Sequence, residues 1–159
     1  MQTNSGAIQD FYSEFYSHCY GCGRLNDYGY KIKTYWDGDN TVCHFNPKEY
    51  HTSIPGYVYG GLIASIIDCH GIGSAAAAIY KAENRSLDSL PAIRCLTASL
   101  KVNYIKPTPI DKTMVLKGII KEVKGRKVIV YVELTINNEV YAKGEVIAVR
   151  IPDDFKFDK

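Results

Sequence analysis

The residues with the clearest chemical potential are two adjacent glycines, Gly60 and Gly61, and one carboxylate, Asp68, within the apolar stretch 55–80. If this stretch is a helix, its first turn carries backbone N–H groups that have no internal acceptor. Such amides polarise a carbonyl that comes close to them and stabilise the oxyanion that develops on it. A charge buried on a helix is costly unless it is paired or used. An oxyanion site with a catalytic carboxylate, and a plain turn with a structural ion pair, both fit these residues.

Helical spacing places Asp68 on a face that is lined mainly by small residues. The members of this face are Gly61, Ala64, Ser65, Asp68, Ile72 and Ala75. Small side chains leave room for a substrate beside the carboxylate. Asp68 lies roughly 10 Å beyond the glycines by helical rise. This separation suits a site built by two subunits, so we expect a homodimer whose active sites lie at the subunit interface.

The elements that must position these residues follow from the hydrophobic pattern. The apolar stretch predicts one long helix over about 60–82, and apolar residues at three- and four-residue spacing predict a short amphipathic helix over 7–18. Alternating runs predict six strands, over 30–36, 41–45, 94–105, 113–122, 127–136 and 139–150, with a hairpin turn at 37–40.

One helix that is apolar almost all round must be wrapped on most of its sides. The later strands are joined by short turns, which favours an antiparallel sheet. We therefore predict an α+β hotdog fold, in which a curved antiparallel sheet wraps one central helix. Residues 1–159 are expected to form a single domain with a short N-terminal helix and loop.

Composition excludes several classes of protein. The chain has 159 residues, 46% of them hydrophobic, and a net charge of +2 without a long basic run, so a nucleic-acid partner is not expected. The longest apolar run, 62–67, is too short to span a membrane, and the N-terminus lacks the pattern of a signal peptide. Five cysteines, an odd number, favour free thiols and a cytoplasmic location.

Two segments resemble a known family. HTSIPGYVYGGLIASIID over 51–68, followed by CLTASLKVNYIKPTP over 95–109, is similar to the hotdog-fold acyl-CoA thioesterases of the PaaI-like group. The nearest likeness is to the branch of the mammalian mitochondrial acyl-CoA thioesterases, and it covers about 19–149. In that family an Asp follows the second glycine of His-Gly-Gly by seven residues, an interval that Gly61 and Asp68 keep. Thr97 fits the family's Thr-Ala-x-Leu-x-x-x-Tyr pattern.

The resemblance implies roles for individual residues in the hydrolysis of an acyl-CoA. Asp68 would be the nucleophile or the general base that activates water, and the amide of Gly60 would polarise the thioester carbonyl. Thr97 would hold Asp68 or the water. Ser53 stands where related enzymes have a residue that contacts the attacking water, and Lys106 lies in a region near the CoA arm, where it would contact phosphate.

The start of the helix departs from the family at one position. Tyr59 stands where the family has its histidine. That histidine is thought to act largely through its backbone and orientation, so the change need not abolish activity. We expect Tyr59, Gly61 and Ser65 to contact the substrate. The resemblance also implies a homodimer that can assemble as a dimer of dimers.

A zinc site is an alternative chemistry. His18, Cys19 and Cys22, together with Cys43 and His44 on a later strand, offer enough ligands. A lone Cys-x-x-Cys is weak evidence, however, and the second pair lacks a ligand spacing. An aspartate with oriented amides needs no metal for thioester hydrolysis, so we expect neither a metal nor another cofactor.

Two further hypotheses remain at this stage. Cys69 and His70 follow Asp68 directly and could form a nucleophile pair, but adjacent helical positions point about 100° apart. The same fold also serves as a non-catalytic module that binds acyl-CoA or an acyl carrier protein. Asp68 discriminates between these functions, because a module that only binds its ligand does not need a carboxylate there.

Overall fold

The structure, a computed structural model, describes residues 5–157 and contains one long helix and six strands. The elements are β1 (Tyr35–Asp37), β2 (Asn40–Phe45), α1 (Gly60–Ala82), β3 (Cys95–Tyr104), β4 (Met114–Lys124), β5 (Lys127–Ile136) and β6 (Glu139–Arg150). All six strands form one antiparallel sheet in the order β1-β2-β4-β5-β6-β3. The predicted helix, the predicted hairpin and the four long strands are present.

The N-terminal segment differs from the prediction. Two short 3-10 helices, Ile8–Phe11 and Glu14–Tyr16, take the place of one amphipathic helix over 7–18. The backbone at Tyr12 is extended between them, and its side chain is buried in the core. The amide of Ile8 donates to the carbonyl of Thr34 at 2.9 Å. Contacts with distant parts of the chain therefore override the local helical spacing.

The predicted strand over 30–36 is shorter than its alternating pattern indicates. Sheet pairing begins only at Tyr35, and Lys31 has a positive φ of 55°. The preceding residues bond to the loop at 20–21 instead of to a strand. Tyr30 donates from its amide to the carbonyl of Tyr20 at 2.9 Å, and Ile32 donates to that of Gly21 at 3.0 Å. This pairing fixes the loop that carries the Cys-x-x-Cys sequence.

Helix α1 packs against the sheet through glycines that allow a close approach. A β-carbon on Gly71 would lie 2.5 Å from Val146, and one on Gly144 would lie 2.4 Å from Ile67. The helix is long and apolar enough to cross a membrane by length and composition alone, but 83% of that stretch is buried inside the fold. Its contacts with five of the six strands account for its apolar character.

Strand β3 forms one edge of the sheet and is exposed. It pairs with β6 on one side only, and eight of its ten residues are exposed. Its large apolar side chains in contact with solvent include Leu96 and Leu100, which are 52% and 37% exposed. A long, exposed and apolar edge is prone to pair with another chain. This edge lies directly beside the carboxylate that the sequence singled out.

Candidate active site

Asp68 lies in the middle of α1 and faces the start of strand β3. Its carboxylate is half-buried, and the hydroxyl of Thr97 donates a hydrogen bond of 2.7 Å to its Oδ1 atom. The pairing of β3 with β6 shifts register between Thr97 and Ser99, which marks a β-bulge. Bulges re-aim side chains and are common beside active sites. The structure thus brings Asp68 and Thr97 together, as the resemblance implied.

The surroundings of Asp68 act on its acidity in opposite directions. Burial raises the pKa of this carboxyl group above its usual value, and it is the largest effect. The hydrogen bond from Thr97 lowers the pKa, because it stabilises the charged form. Cys19 raises the pKa and the guanidinium of Arg94 lowers it. The net result is a carboxylate more basic than a solvated aspartate, which suits a general base.

The first turn of α1 presents two amides at the surface. Tyr59 is the N-cap, and Leu62 is the first residue of the turn to donate to it, at 3.2 Å. The amides of Gly60 and Gly61 come earlier in the chain than that of Leu62, and the helix supplies no acceptor for them. Gly60 is half-buried and Gly61 is exposed. A carbonyl oxygen can therefore reach donors that also lie at the positive end of the helix dipole.

Tyr104, at the end of β3, holds this turn in place. Its hydroxyl donates to the carbonyl of Gly60 at 2.7 Å. Strand β3 therefore touches both parts of the site, through Thr97 at one end and Tyr104 at the other. The sequence patterns predicted no role for Tyr104. The family pattern that identified Thr97 contains this tyrosine, but its contact with Gly60 spans 44 positions of the chain.

The amides and the carboxylate do not meet within one chain. Gly60 and Asp68 lie on one continuous helix, eight residues apart, which corresponds to about 12 Å of rise. A thioester carbonyl bound at Gly60 would therefore lie beyond the reach of Asp68 from the same helix. This spacing is slightly larger than the sequence estimate and leads to the same expectation of a composite site.

Tyr59 covers the neighbouring glycine. A β-carbon on Gly61 would lie 2.4 Å from the Tyr59 ring, so a larger residue at this position would displace the ring. The Tyr59 hydroxyl lies 3.2 Å from that of Tyr30. Burial, followed by the contact with Tyr59, raises the pKa of Tyr30, so the Tyr30 phenol stays protonated near neutral pH. The aromatic ring at this position thus shapes the entrance to the amides.

The other predicted substrate contacts are Ser65, Ser53 and Lys106. The Ser65 hydroxyl donates to the carbonyl of Gly61 at 2.8 Å, along the helix. Ser53 is exposed in the loop before α1, and its amide bonds to Tyr57. Lys106 follows β3, forms an ion pair with Glu139 and lies 4.6 Å from the centre of the Tyr141 ring. Contacts of these three residues with substrate stay predictions.

Comparison with known proteins decides the family. The model of the thioesterase superfamily matches residues 55–143, which is more than half of the chain and includes both Gly60 and Asp68. The chain belongs to the thioesterase superfamily. Its resemblance to the PaaI-like hotdog thioesterases and its α+β hotdog fold are therefore confirmed.

Solved structures of this superfamily share the fold. A thioesterase superfamily protein from Shewanella loihica PV-4 is 44% identical, covers 89% of this chain and 100% of its own, and superposes with a TM-score of 0.67. The PaaI protein of the E. coli phenylacetic acid degradation operon is 10% identical, with a TM-score of 0.63 over 77% of this chain and 81% of its own. At that identity the likeness shows the fold alone.

The curated relatives are longer proteins. Acyl-coenzyme A thioesterase THEM4 of Xenopus laevis is 27% identical over 110 residues, which are 69% of this chain and 44% of that protein. THEM4 of Bos taurus is 28% identical over 91 residues, 57% of this chain and 32% of that protein. The chain thus spans less than half the length of these relatives.

The cysteines are arranged differently from the zinc hypothesis. The thiol of Cys69, on helix α1, lies beside those of Cys19 and Cys22. The three sulfur atoms lie within 4.8 Å of one another. Cys43 and His44 are adjacent on β2, where Cys43 is buried and His44 is exposed, because successive strand residues face opposite sides. The zinc alternative weighed from the sequence, with Cys43 and His44 beside Cys19 and Cys22, is therefore not the grouping found among the described residues.

His70 belongs to a buried polar network and does not pair with Cys69. Its Nδ1 atom lies 3.0 Å from the hydroxyl of Thr34, and its Nε2 atom lies 3.4 Å from that of Thr41. Burial lowers the pKa of His70 to about 3, so the ring is neutral. The nucleophile pair considered from the sequence is therefore absent. The histidine satisfies polar groups between α1 and the sheet.

Proposed function

We propose that this protein hydrolyses an acyl-CoA thioester to the free acid and CoA. The observation that carries the proposal is the half-buried carboxylate of Asp68, oriented by Thr97 and raised in pKa at the edge of the sheet. A carboxylate in this setting is more basic than a solvated aspartate, which suits the acceptance of a proton from water. The curated relatives named acyl-coenzyme A thioesterase support the choice of substrate class.

The proposed reaction uses the carboxylate of Asp68 and the amide of Gly60. Asp68 removes a proton from a water molecule as the water oxygen attacks the thioester carbonyl. The carbonyl oxygen becomes an oxyanion, which accepts hydrogen bonds from the amide of Gly60. Collapse of this intermediate breaks the carbon–sulfur bond and releases CoA as a thiolate, which takes up a proton. Direct attack by the Asp68 carboxylate, followed by hydrolysis of the resulting anhydride, is the other route to the same products.

The site we propose is shared by two copies of the chain. Thr97 lies near the beginning of β3 and contacts Asp68, whereas Tyr104 ends the strand and contacts Gly60. When two β3 edges pair in an antiparallel manner across a two-fold axis, the beginning of one strand lies beside the end of the other. The amides of one subunit then approach the carboxylate of the other. In this arrangement the Gly60 amide and the Asp68 carboxylate of each site come from different subunits. The distance between these two residues along a single helix then no longer separates them.

The other parts of this proposal concern assembly and location. Pairing of two subunits through β3 buries an exposed edge, and two such dimers can associate as a dimer of dimers. The five cysteines are free thiols, which is consistent with a reducing, cytoplasmic setting. We propose the acyl-CoA as the partner, without nucleic acid or a membrane.

Replacement of Asp68 by Asn tests the activity. Asp68→Asn keeps the shape of the side chain and removes its basicity. We expect kcat to fall by about two orders of magnitude or more, the scale of losing a general base, while thermal melting and acyl-CoA binding change little. Thiol release from acyl-CoAs of graded chain length is the measurement. Asp111→Asn, at an exposed carboxylate that lies 3.5 Å from Lys112, is the matched control.

The same variants separate hydrolysis from mere binding. A wild-type protein that binds acyl-CoA without releasing thiol would make it a binding module. Full turnover by Asp68→Asn would remove the carboxylate from the mechanism. A lower melting temperature of Asp68→Asn with unchanged turnover would show that Asp68 has a structural role only.

A further inference from the structure

Three thiols meet beside the proposed active site. The sulfur atoms of Cys19, Cys22 and Cys69 lie within 4.8 Å of one another, and that of Cys19 is 3.8 Å from that of Cys69. Zinc binds thiolates at about 2.3 Å with tetrahedral angles, which places two bound sulfurs about 3.8 Å apart. The observed spacing between Cys19 and Cys69 equals this value. Cys19 and Cys22 also have the two-residue spacing that is typical of zinc ligands.

The loop is built to bring its cysteines onto the helix. Gly21 is required there, because a β-carbon at this position would lie 2.1 Å from the Cys69 sulfur. Gly23 closes the turn with a hydrogen bond of 2.7 Å from its amide to the carbonyl of Cys19. These two glycines allow the loop to hold Cys19 beside Cys69.

Burial and charge at the cluster also fit a cation. Cys22 and Cys69 are buried, whereas Cys19 is partly exposed and leaves a path from solvent. Three thiolates and one divalent ion carry a net charge of −1. Arg94 interacts electrostatically with all three thiols and is held in place over the ring of Tyr12, 4.5 Å from its centre. Its positive charge balances the remaining negative charge in a partly buried setting.

We propose that Cys19, Cys22 and Cys69 bind a zinc ion, with a fourth coordination position open to water on the exposed side of Cys19. This site goes beyond the proposed hydrolysis, whose steps use no metal. It replaces the sequence-based expectation that the protein binds none. The ion ties the loop of Cys19 and Cys22 to helix α1 at the residue that follows Asp68. It therefore stabilises the position of the loop against the helix that carries the carboxylate.

Direct measurement of the metal is the first test. The full chain, purified without chelator under reducing conditions, should contain about one zinc per chain by elemental analysis. A chelator should remove it, and zinc alone, added at about a hundredfold excess over its Kd, should raise Tm by roughly 5–10 °C. Reduced protein that takes up no zinc, or whose Tm is unaffected by it, would overturn the proposal.

Variants identify the ligands. Cys19→Ser and Cys69→Ala should lose zinc and the thiolate-to-cobalt charge-transfer bands of the cobalt(II)-substituted protein. Cys43→Ala and Cys95→Ala, at buried cysteines outside the cluster, should keep both. Cobalt spectra that are the same in Cys69→Ala and the wild type would contradict the assignment.

Alkylation of the wild-type chain provides a measurement that does not depend on the folding of any variant. Zinc should slow the reaction of Cys19 with iodoacetamide by at least tenfold, as followed by peptide mass spectrometry. An unchanged rate at saturating zinc would show that Cys19 is not a ligand.

Discussion

The hydroxyl of Thr97 donates a 2.7 Å hydrogen bond to the Oδ1 atom of Asp68 and thereby joins the exposed edge strand to the central helix. The bond stabilises the ionised carboxylate against the effect of burial. It also fixes one carboxylate oxygen, so that the other is available to a water molecule. The relationship gives Thr97 a positioning role that differs from simple packing and can be tested through pH dependence.

Thr97→Val should move the acidic limb of the kcat/KM profile to higher pH. The substitution removes the hydrogen bond that lowers the pKa of Asp68, so this pKa rises further above its usual value. A general base works in its ionised form, and activity is lost as pH falls through its pKa. We expect the limb to move by roughly one to two pH units, because a hydrogen bond to a charged group contributes about 1.5–3 kcal/mol and one pKa unit corresponds to about 1.4 kcal/mol. Thr97→Ser should keep the wild-type profile. If the acidic limb of the kcat/KM profile is the same in Thr97→Val and in the wild type, Thr97 has only a packing role.

Gly60→Pro should remove the oxyanion donor without unfolding the helix. Proline is well tolerated at the first helical position. The backbone of Tyr59, with ψ at 144°, already has the extended conformation that a following proline requires. Loss of one oxyanion donor costs about two to three orders of magnitude in kcat. Gly60→Ala keeps the amide, its β-carbon meets Tyr104 only at an ordinary 3.4 Å, and it should stay within a few-fold of the wild type. Equal activity of the Pro and Ala variants would count against this amide.

Mixing two inactive variants should restore activity if the site is shared. In a dimer of one Asp68→Asn and one Gly60→Pro subunit, one site receives both an intact carboxylate and an intact amide. Random exchange between equal amounts of the two variants makes half of the dimers mixed. Each mixed dimer has one intact site of its two, so about one quarter of all sites should be active. Thiol release after co-refolding measures this recovery. If the mixture shows no more activity than the separate variants, each site lies within one chain.

Tyr59→Phe should leave kcat within a few-fold of the wild type. The proposed mechanism uses the helix amides that follow this residue, and phenylalanine keeps the ring that covers Gly61. The substitution removes only the hydroxyl contact with Tyr30. Tyr59→His, which introduces the residue of the wider family, should also retain activity. A hundredfold loss of kcat in Tyr59→Phe would mean that the phenol takes part in the reaction.

The free energy of unfolding should fall as pH decreases below about 6.5, partly because of His70. Burial lowers the pKa of this histidine from 6.5 to about 3, so the unfolded state binds the proton first. The resulting stability is present in full above 6.5 and is lost at about 1.4 kcal/mol for each pH unit towards 3. Urea unfolding at several pH values measures this slope. His70→Gln should lose this part of the slope, whereas His44→Gln, at an exposed position, should keep it. A slope that is identical in His70→Gln and the wild type would contradict a buried neutral histidine.

Much of the site could be predicted from the sequence because its parts are local. The glycines that begin α1, the interval from Gly61 to Asp68 and the hydroxyl of Thr97 all belong to regular elements with clear periodicity. The contact between Thr97 and Asp68 links two consecutive elements of the chain. By contrast, the anchoring of Gly60 by Tyr104 joins two element ends, and no periodic pattern encodes such a contact.

The sequence by itself determined the central helix, the hairpin and the four long strands, because hydrophobic periodicity and turn residues act over a few neighbouring positions. Only the tertiary structure decided which distant side chains meet. The thiol of Cys69 lies beside that of Cys19, which is 50 positions away in the chain. The ring of His70 contacts Thr34 and Thr41 and not Cys69. The two 3-10 helices of the N-terminus likewise depend on burial against the core. These outcomes follow from the packing of the loop and the sheet against α1, and packing depends on three-dimensional proximity that local spacing does not specify.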